Sequence, residues 1–242
     1  LFKDFFKNEP ESTSFASGRV NLIGDHTDYN SGFVMPTPLS LGIEVSIRKT
    51  RSGFIEGKTE LFKETKTEIN SNVNGSWLDF IKGAIRVFYE EFPNCSKKFE
   101  GGIQVAVTSN LPSGSGVSSS AALEIALLRA INKIENQNLS EIKLAKLAQK
   151  IEHKFIGTLC GLMDQMVVAK GIMNKAMFFD TKYEKTVNLS LFSNFEFLIV
   201  HSGSQRSLSS SLYNERRNEC EEASKILNIE NLRDAKFTML NE

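Results

Sequence analysis

A glycine- and serine-rich stretch between residues 111 and 120 constrains the fold of this chain more than any other feature. Apolar residues alternate over 103–107 before it, which predicts a strand, and recur at helical spacing from Ala121 to Ile131 after it. Pro112 and two glycines interrupt regular structure between them. A strand, a glycine loop and a helix N-terminus direct free N–H groups and the positive end of the helix dipole at one point. The sequence therefore predicts a phosphate-binding loop, with an ordinary serine-capped loop as the alternative.

The spacing of this loop differs from two common phosphate-binding motifs. No Lys follows Gly116, as a P-loop requires, and Ser119 occupies the third glycine position of a dinucleotide-binding fingerprint. The stretch instead resembles the second motif of the GHMP small-molecule kinases, roughly P-x-G-x-G-L-x-S-S-A, with Val117 in place of Leu. The resemblance implies that ATP phosphates bind to Pro112, Gly114, Ser115, Gly116, Ser118, Ser119 and Ser120.

Four polar side chains lie close together in a second stretch: Arg19, Asp25, His26 and Asp28. Carboxylates accept hydrogen bonds from hydroxyl groups, so a directional set of this kind suits the recognition of a sugar. A metal site is one alternative, but one His with two Asp is a poor set of ligands for a transition metal. The other alternative is a polar loop in which the aspartates cap the backbone.

The second stretch resembles the galactokinase signature G-R-V-N-L-I-G-E-H-T-D-Y-N-x-G-x-V-x-P. The resemblance implies sugar binding by five residues, the last two from later segments: Asp25, His26, Asp28, Gly161 and Tyr213. Two positions differ from the family pattern. Ser17 replaces the Pro that usually precedes the first Gly of the signature, and Asp25 replaces the Glu within it. The Asp25 carboxylate ends roughly 1.5 Å short of a Glu carboxylate, which leaves the identity of the sugar open.

The segment from Gly157 to Met166 resembles the galactokinase segment C-G-[IL]-M-D-Q. The resemblance implies that Asp164 is the catalytic Asp, and that Arg19 keeps it ionised and steadies the transferred phosphoryl group. The alternative for Asp164 is a helix N-cap. Glu152 matches the Mg²⁺-binding Glu of the family, with Ser120 as the second ligand, and a solvent-exposed helix carboxylate is the alternative.

Two aromatic residues lie in segments with helical periodicity. Trp77 opens an amphipathic helix that runs toward Pro93, and Ser140 is predicted to cap another helix. The segment around Trp77 resembles a galactokinase segment whose Trp flanks the adenine of ATP, with core packing as the alternative. Tyr213 begins the pattern Y-x-x-R-R-x-x-C-E, which resembles the galactokinase helix that carries a sugar-contacting Tyr, with an interface ring as the alternative.

The composition argues against several classes of protein. Lys plus Arg and Asp plus Glu are equal at 29 each, so the net charge does not favour nucleic acid or an anionic membrane surface. There is no run of about 18 apolar residues to predict a membrane span. Cys95, Cys160 and Cys220 show neither metal-ligand spacing nor a disulfide framework. We therefore expect a cytoplasmic monomer without nucleic-acid or membrane partners.

The GHMP kinase resemblance also implies an α+β fold with two lobes. Residues 1–170 would form the N-terminal lobe, similar to domain 2 of ribosomal protein S5, and residues 171–242 part of the C-terminal lobe. Periodicity alone predicts strands mixed with helices, with strands at 43–49, 176–180 and 195–200. The third glycine-rich motif of the family does not occur after Gly203, so we expect a shortened C-terminal lobe and an incomplete, inactive kinase.

The motifs together imply ATP-dependent phosphorylation of galactose at its anomeric hydroxyl, with Mg²⁺ as the metal and galactose 1-phosphate as the product. Three alternatives stay open. The first is a sugar-1-kinase for another sugar, such as N-acetylgalactosamine or arabinose, because Asp25 departs from the signature. The second is a kinase-like protein that binds sugar and ATP as a sensor. The third is a domain in which the glycine loop has only a structural role.

Overall fold

The computed structural model describes residues 1–63, 65–96, 101–112, 114–191, 194, 197–200, 203 and 211–240. Its strands are β1 (Ser12–Asn21), β2 (Phe33–Val34), β3 (Pro36–Thr50), β4 (Phe54–Thr59), β5 (Lys66–Glu68), β6 (Gly102–Ser109), β7 (Lys175–Asp180) and β8 (Lys185–Ser190). Its α-helices are α1 (Phe2–Phe6), α2 (Leu78–Glu91), α3 (Pro93–Ser96), α4 (Ser119–Glu135), α5 (Glu141–Ile151), α6 (Met163–Lys170) and α7 (Ser211–Ile226). Short 3-10 helices cover Asp28–Asn30, Leu232–Asp234 and Phe237–Leu240, and a π-helical turn covers Glu152–Ile156. This mixture confirms the predicted α+β class.

Five strands form one sheet in the order β1-β3-β6-β4-β5. β4 pairs in parallel with β6, and the other neighbours are antiparallel. The predicted strands at 43–49 and 103–107 lie within β3 and β6 and pair with each other, with Val45 opposite Val107. Their alternate apolar side chains are buried, because a strand directs successive side chains to opposite faces of the sheet.

α4 is the central helix of the layer that covers this sheet. It packs against β1 and β3 on one side and against α2, α5 and α6 on the others. Its apolar residues are therefore buried around most of its circumference, and Ile125, Leu127 and Leu128 have no exposed surface. Each such side chain contributes about 1.5–3 kcal/mol by leaving water. The predicted helix after the glycine loop is confirmed, and the core on several sides fixes its position.

A bulge in β1 aims Arg19 at the glycine loop. The register of β1 against β3 shifts between Ser17 and Arg19, and a bulge redirects the side chains next to it. Gly18 lies at this shift, where a Cβ atom would stand 2.6 Å from Leu111 and 2.9 Å from the Val117 carbonyl oxygen. Glycine therefore allows the close approach of β1 to the loop, and the Arg19 N–H donates to the Val117 carbonyl at 3.0 Å.

The helix α5 begins as predicted and ends in a π-helical turn. Ser140 is its N-cap, and its hydroxyl accepts a backbone N–H at 3.3 Å. Regular α-helix ends at Ile151, because the backbone widens into a π-helical turn in which the Gly157 N–H donates to the Glu152 carbonyl at 2.8 Å. Turns of this kind are frequent at functional sites.

A second sheet contains β2, β7 and β8 in that order. The predicted strand at 176–180 lies within β7 and is confirmed. The predicted strand at 195–200 is wrong in its described part, because residues 197–200 belong to no strand; residues 195 and 196 lie outside the described residues. Residues 197–200 are an unbroken apolar run, which lacks the alternation of a half-buried strand, and their side chains are exposed. In the described ranges, no helix has both the length and the apolar character that a membrane span needs.

Candidate active site

Arg19 and Asp164 form a bidentate ion pair at the centre of the site. The Nε and Nη2 atoms of Arg19 donate to the two carboxylate oxygens of Asp164, both at 2.7 Å. Two parallel bonds fix the orientation of the carboxylate as well as compensating its charge. Burial alone would lower the pKa of Arg19, but the charge of Asp164 and its hydrogen bonds raise that pKa above its usual value. The guanidinium stays charged, which favours the ionised carboxylate.

Asp164 lies directly beside the glycine loop. The Ser118 hydroxyl donates to Asp164 Oδ2 at 2.5 Å, and Arg19 Nη1 donates to the Gly116 carbonyl at 2.8 Å. Ser118 is the N-cap of α4, but it has a left-handed backbone (φ 59°) and its hydroxyl makes no capping bond. Asp164 lies in the first turn of α6, whose N-cap is Leu162, so the N-cap alternative for Asp164 is wrong.

The glycine loop presents an open backbone at the start of α4. Gly114 and Gly116 have φ values of 67° and 72°, which residues with a Cβ atom rarely adopt. A Cβ on Gly114 would meet nothing within 4 Å, so the backbone conformation itself requires glycine. Ser115 donates to the Pro112 carbonyl at 2.8 Å and closes the turn, while Ser113 lies outside the described residues. The loop and the first turn of α4, which begins with Ser119 and Ser120, can offer several N–H groups to an anion.

The carboxyl of Asp28 lies against the N-terminal turn of α6. It accepts the N–H of Tyr29 at 3.0 Å and the N–H of Met163 at 3.4 Å. Removal from water, followed by the negative charge of Asp164, raises the pKa of Asp28 to about 6. A Cβ atom on Gly161 would lie 2.0 Å from Asp28 Oδ2, so the glycine makes room for this carboxyl. Three predicted site residues therefore meet here: Asp28, Gly161 and Asp164.

α7 brings Tyr213 to the predicted sugar-binding stretch. The rings of Tyr213 and His26 have centroids 5.5 Å apart. Asn214 fixes this end of the helix, because its side chain accepts the N–H of Leu159 at 3.0 Å. Burial raises the pKa of Tyr213, while the facing N–H of Gly161 acts in the opposite direction. His26, Asp28, Gly161 and Tyr213, predicted from three separate segments, thus form one cluster beside Asp164.

Asp25 stands at the rim of this cluster. Its side chain is exposed, and Oδ1 accepts a hydrogen bond from Asn21 Nδ2 at 2.9 Å. Its charge contributes to the raised pKa of Arg19, so it lies within electrostatic range of the ion pair. The carboxylate of Asp25, which is shorter than the Glu of the signature, is therefore hydrogen-bonded to Asn21 in its own stretch.

Oxygen donors behind the glycine loop fit a magnesium ion. The hydroxyls of Ser120 and Thr158 face the carboxyl of Glu152, which is only 6% exposed. Burial raises the pKa of Glu152, and the two hydroxyls partly oppose the shift. The solvent-exposed alternative for Glu152 is therefore wrong. Mg²⁺ takes oxygen ligands, commonly one or two carboxylates completed by phosphates and water, and the predicted pair suits that preference.

A second carboxyl, Glu124, lies one turn along α4 from Ser120. It has no exposed surface, and neither oxygen has a hydrogen-bond partner within the part of the chain that the structure describes; Gln165 faces it without hydrogen-bond geometry. Burial and the charge of Glu152 raise its pKa well above the usual value. A neighbouring cation would offset the cost of burying an unpaired carboxylate. Across the described ranges, no three His, Cys, Asp or Glu side chains are grouped as a complete metal site.

Trp77 lies in the core next to the start of α2. Its side chain is 7% exposed and its ring stacks on Phe62, with centroids 6.1 Å apart. Gly57 lies against the indole, since a Cβ there would stand 2.6 Å from two ring atoms. Core packing therefore accounts for Trp77, and its contact with adenine stays a prediction.

Sequence reasoning missed three residues of this region: Tyr29, Glu124 and Asn214. Tyr29 lies inside the signature, three residues from His26, so its position was a usable signal. Glu124 follows Ser120 by four residues on a predicted helix, which places both on one face. No local signal marks Asn214, because 55 residues separate it from its partner in the chain.

The match to family models agrees with this geometry. The model described as "GHMP kinases N terminal domain" matches residues 79–171, and the "Galactokinase galactose-binding signature" matches residues 1–49. The first range contains the glycine loop and the Asp164 segment, and the second contains Arg19 and the sugar-binding stretch. The chain belongs to the GHMP kinases, which confirms the predicted family and fold.

Within that family the chain is galactokinase-like. A galactokinase of Haemophilus influenzae is 35% identical over 239 residues, which cover 97% of this chain and 61% of that protein. A galactokinase of Pyrococcus furiosus is 36% identical over 219 residues, which cover 90% and 60%. The crystal structure of Lactococcus lactis galactokinase complexed with galactose superposes with a TM-score of 0.84 at 25% identity, covering all of this chain and 66% of that one. The chain spans about three fifths of the length of the curated relatives it matches.

Proposed function

We propose that the protein containing this chain transfers a phosphoryl group from ATP to the anomeric hydroxyl of galactose and releases galactose 1-phosphate. One observation carries this proposal. The Asp164 carboxylate is bound by both Arg19 and Ser118, at 2.7 and 2.5 Å, between the cluster of predicted sugar-binding residues and the glycine loop. A carboxylate in that position would lie next to both substrates of a kinase reaction.

The chemistry depends on alignment and on compensation of charge. Asp164 would accept the proton of the anomeric hydroxyl or orient that hydroxyl for attack. Arg19 would keep Asp164 ionised and stabilise negative charge on the transferred group. The backbone N–H groups of the loop, at Gly114 to Ser118, together with Ser119 at the start of α4, would hold the phosphates. Mg²⁺ bound through Ser120 and Glu152 would neutralise phosphate charge.

The sugar would be read by the cluster of His26, Asp28, Gly161 and Tyr213, with Asp25 at its rim. Carboxylates and an imidazole at fixed positions distinguish sugars by the direction of each hydroxyl. The exposed, shorter Asp25 favours a second candidate, a sugar-1-kinase for N-acetylgalactosamine or arabinose. Comparing kcat/KM over a panel of sugars separates the two, because a site that binds hydroxyls directionally discriminates by orders of magnitude.

We also propose the two lobes at residues 1–170 and 171–242, a cytoplasmic location and a monomer without nucleic-acid or membrane partners. The balanced charge supports the absence of polyanionic partners. Cys95, Cys160 and Cys220 are free thiols in the structure, which supports a reducing compartment.

The test is the Asp164→Asn change in the full-length protein. Asn keeps the shape and removes the charge, so kcat/KM for galactose is expected to fall by roughly 10²–10⁴-fold, while galactose binding measured by calorimetry stays within a few-fold. Asp180→Asn is the matched control, because Asp180 is also bound by two guanidinium nitrogens, those of Arg233, at the second sheet and away from the glycine loop. Undiminished turnover by Asp164→Asn would refute the proposal.

A further inference from the structure

Tyr29 has no role in the function proposed above, yet it forms a hydrogen bond with the imidazole of His26. The Tyr29 hydroxyl and His26 Nδ1 are 2.6 Å apart. His26 itself has a φ of 60°, a left-handed conformation that is uncommon outside glycine. Contacts from the same turn must therefore hold both the backbone and the ring of His26 in place.

Two further neighbours restrict the imidazole. Asn30 Nδ2 donates to the His26 carbonyl at 2.8 Å and fixes the backbone of the turn. The ring of Tyr213 lies 5.5 Å away at an angle of 32°, and the Tyr29 ring stands edge-on at 5.7 Å. The ring plane is thus set by two aromatic neighbours, and Nδ1 is occupied by Tyr29. In the part of the chain that the structure describes, the other ring nitrogen, Nε2, has no hydrogen-bond partner and can bind a ligand.

The Tyr29 hydroxyl is able to donate in this bond. Partial burial raises the pKa of Tyr29 to about 12, with the neighbouring Cys220 acting in the same direction, so the phenol keeps its proton. When the phenol donates, the unprotonated Nδ1 accepts the hydrogen bond, and the ring carries its own hydrogen on Nε2. Cys220, which accepts from Asn30 Nδ2 at 3.4 Å, supports the far side of the same turn.

We propose that Tyr29 is a positioning residue that holds His26 in the Nε2–H tautomer, so that His26 donates a hydrogen bond to a hydroxyl oxygen of the sugar. This inference rests on the proposed function and deepens it. Asp25 and Asp28 offer acceptors when ionised, so a fixed donor beside them is what defines the direction of a hydroxyl. A hydroxyl that donates to a carboxylate and accepts from His26 satisfies both groups, whereas its removal or inversion leaves them unpaired.

The first test reads the tautomer directly and needs no turnover. The chain contains three histidines, and a His26→Gln spectrum assigns the signals of His26 in ¹⁵N NMR near pH 8, where an ordinary imidazole is neutral. We expect an unprotonated Nδ1 and a protonated Nε2 in the unaltered protein, and a mixture of tautomers in Tyr29→Phe. Tyr183→Phe, which removes an exposed phenol hydroxyl from the turn between β7 and β8, is the matched control and should leave the spectrum unchanged. A protonated Nδ1 in the unaltered protein, or an unchanged tautomer in Tyr29→Phe, would overturn the inference.

The second test measures specificity in the full-length protein. Tyr29→Phe is expected to raise KM for galactose about tenfold with kcat changed less than about twofold, since one hydrogen bond to substrate is weakened. One deoxygalactose lacks the hydroxyl that His26 would contact. Its loss of kcat/KM relative to galactose should be smaller in Tyr29→Phe than in the unaltered protein. An unchanged KM, or a fall in kcat alone, would refute the positioning role. If the unaltered protein phosphorylates no galactose, the proposed function fails, while the NMR result still decides the tautomer.

Discussion

At the scale of single residues, the Asp28 carboxyl determines how the candidate site responds to pH. The groups that face it are the carboxylate of Asp164, the guanidinium of Arg19, the phenol of Tyr213 and the N–H groups of Tyr29 and Met163. Burial dominates, followed by repulsion from Asp164, and together they raise the pKa of Asp28 from 3.8 to about 6. The folded protein therefore holds this proton more tightly than the unfolded chain does.

We predict that Asp28→Asn changes the pH dependence of stability. The contribution of Asp28 is fully present below about pH 4 and is lost as pH rises through about 6, because the raised pKa belongs to the folded state. Asn does not titrate, so the unfolding free energy of the variant should exceed that of the unaltered protein by an amount that grows to about 2–3 kcal/mol by pH 8. Urea unfolding at several pH values measures this difference. Asp25→Asn, on an exposed neighbour, is the control, and parallel curves for Asp28→Asn and the unaltered protein would contradict the prediction.

At the scale of elements, the segment before α6 and the sugar-binding stretch fit together through Gly161. A Cβ at this position would overlap Asp28 Oδ2 at 2.0 Å, so neither segment can keep its place when a side chain is added. The same contact brings Met163, the first residue of α6, within 3.4 Å of Asp28. Asp164 is the residue after Met163, so its position depends on this fit.

We predict that Gly161→Ala destabilises the protein by roughly 1–3 kcal/mol, as expected for a crowded core position. Asp28→Ala removes the carboxyl atoms that the new Cβ would overlap. In that background Gly161→Ala should therefore reduce the unfolding free energy much less. A double-mutant cycle in urea measures the difference as a coupling energy between the two positions. Equal costs in both backgrounds would mean that Asp28 does not cause the crowding.

At the scale of the whole molecule, Arg233 ties the last described segment to the second sheet. Its guanidinium donates to both carboxylate oxygens of Asp180 and to the Ser31 carbonyl, the latter at 2.9 Å, and lies 4.1 Å from the centroid of the Phe33 ring. The Arg233 hydrogen bond holds the pKa of Asp180 below its usual value. One side chain thus links residues near the C-terminal end of the described chain to the turn that follows the sugar-binding stretch.

We predict that Arg233→Ala speeds amide hydrogen exchange locally and leaves the core unchanged. Exchange should quicken at residues 31–34 and 231–236, while β3 and β6 keep their protection, because local opening does not require global unfolding. Arg216→Ala is the matched control, since Arg216 is exposed and pairs with Glu219 on its own helix. Unchanged exchange at both segments in Arg233→Ala would show that other contacts hold them.

Local sequence patterns were enough to predict the features that depend on neighbouring residues. The strands at 43–49 and 103–107, the helix after the glycine loop and the cap at Ser140 follow from periodicity and capping, which act within a few residues. The signature stretches also identified the family, because each motif is continuous in the chain. The tertiary structure decided which of these pieces meet. Arg19 finds Asp164 145 residues away, Trp77 turns out to be buried under Phe62, and Tyr29 reaches His26 through a left-handed turn. Contacts of this kind depend on the packing of whole elements, and packing is set by the entire core rather than by any local run of residues.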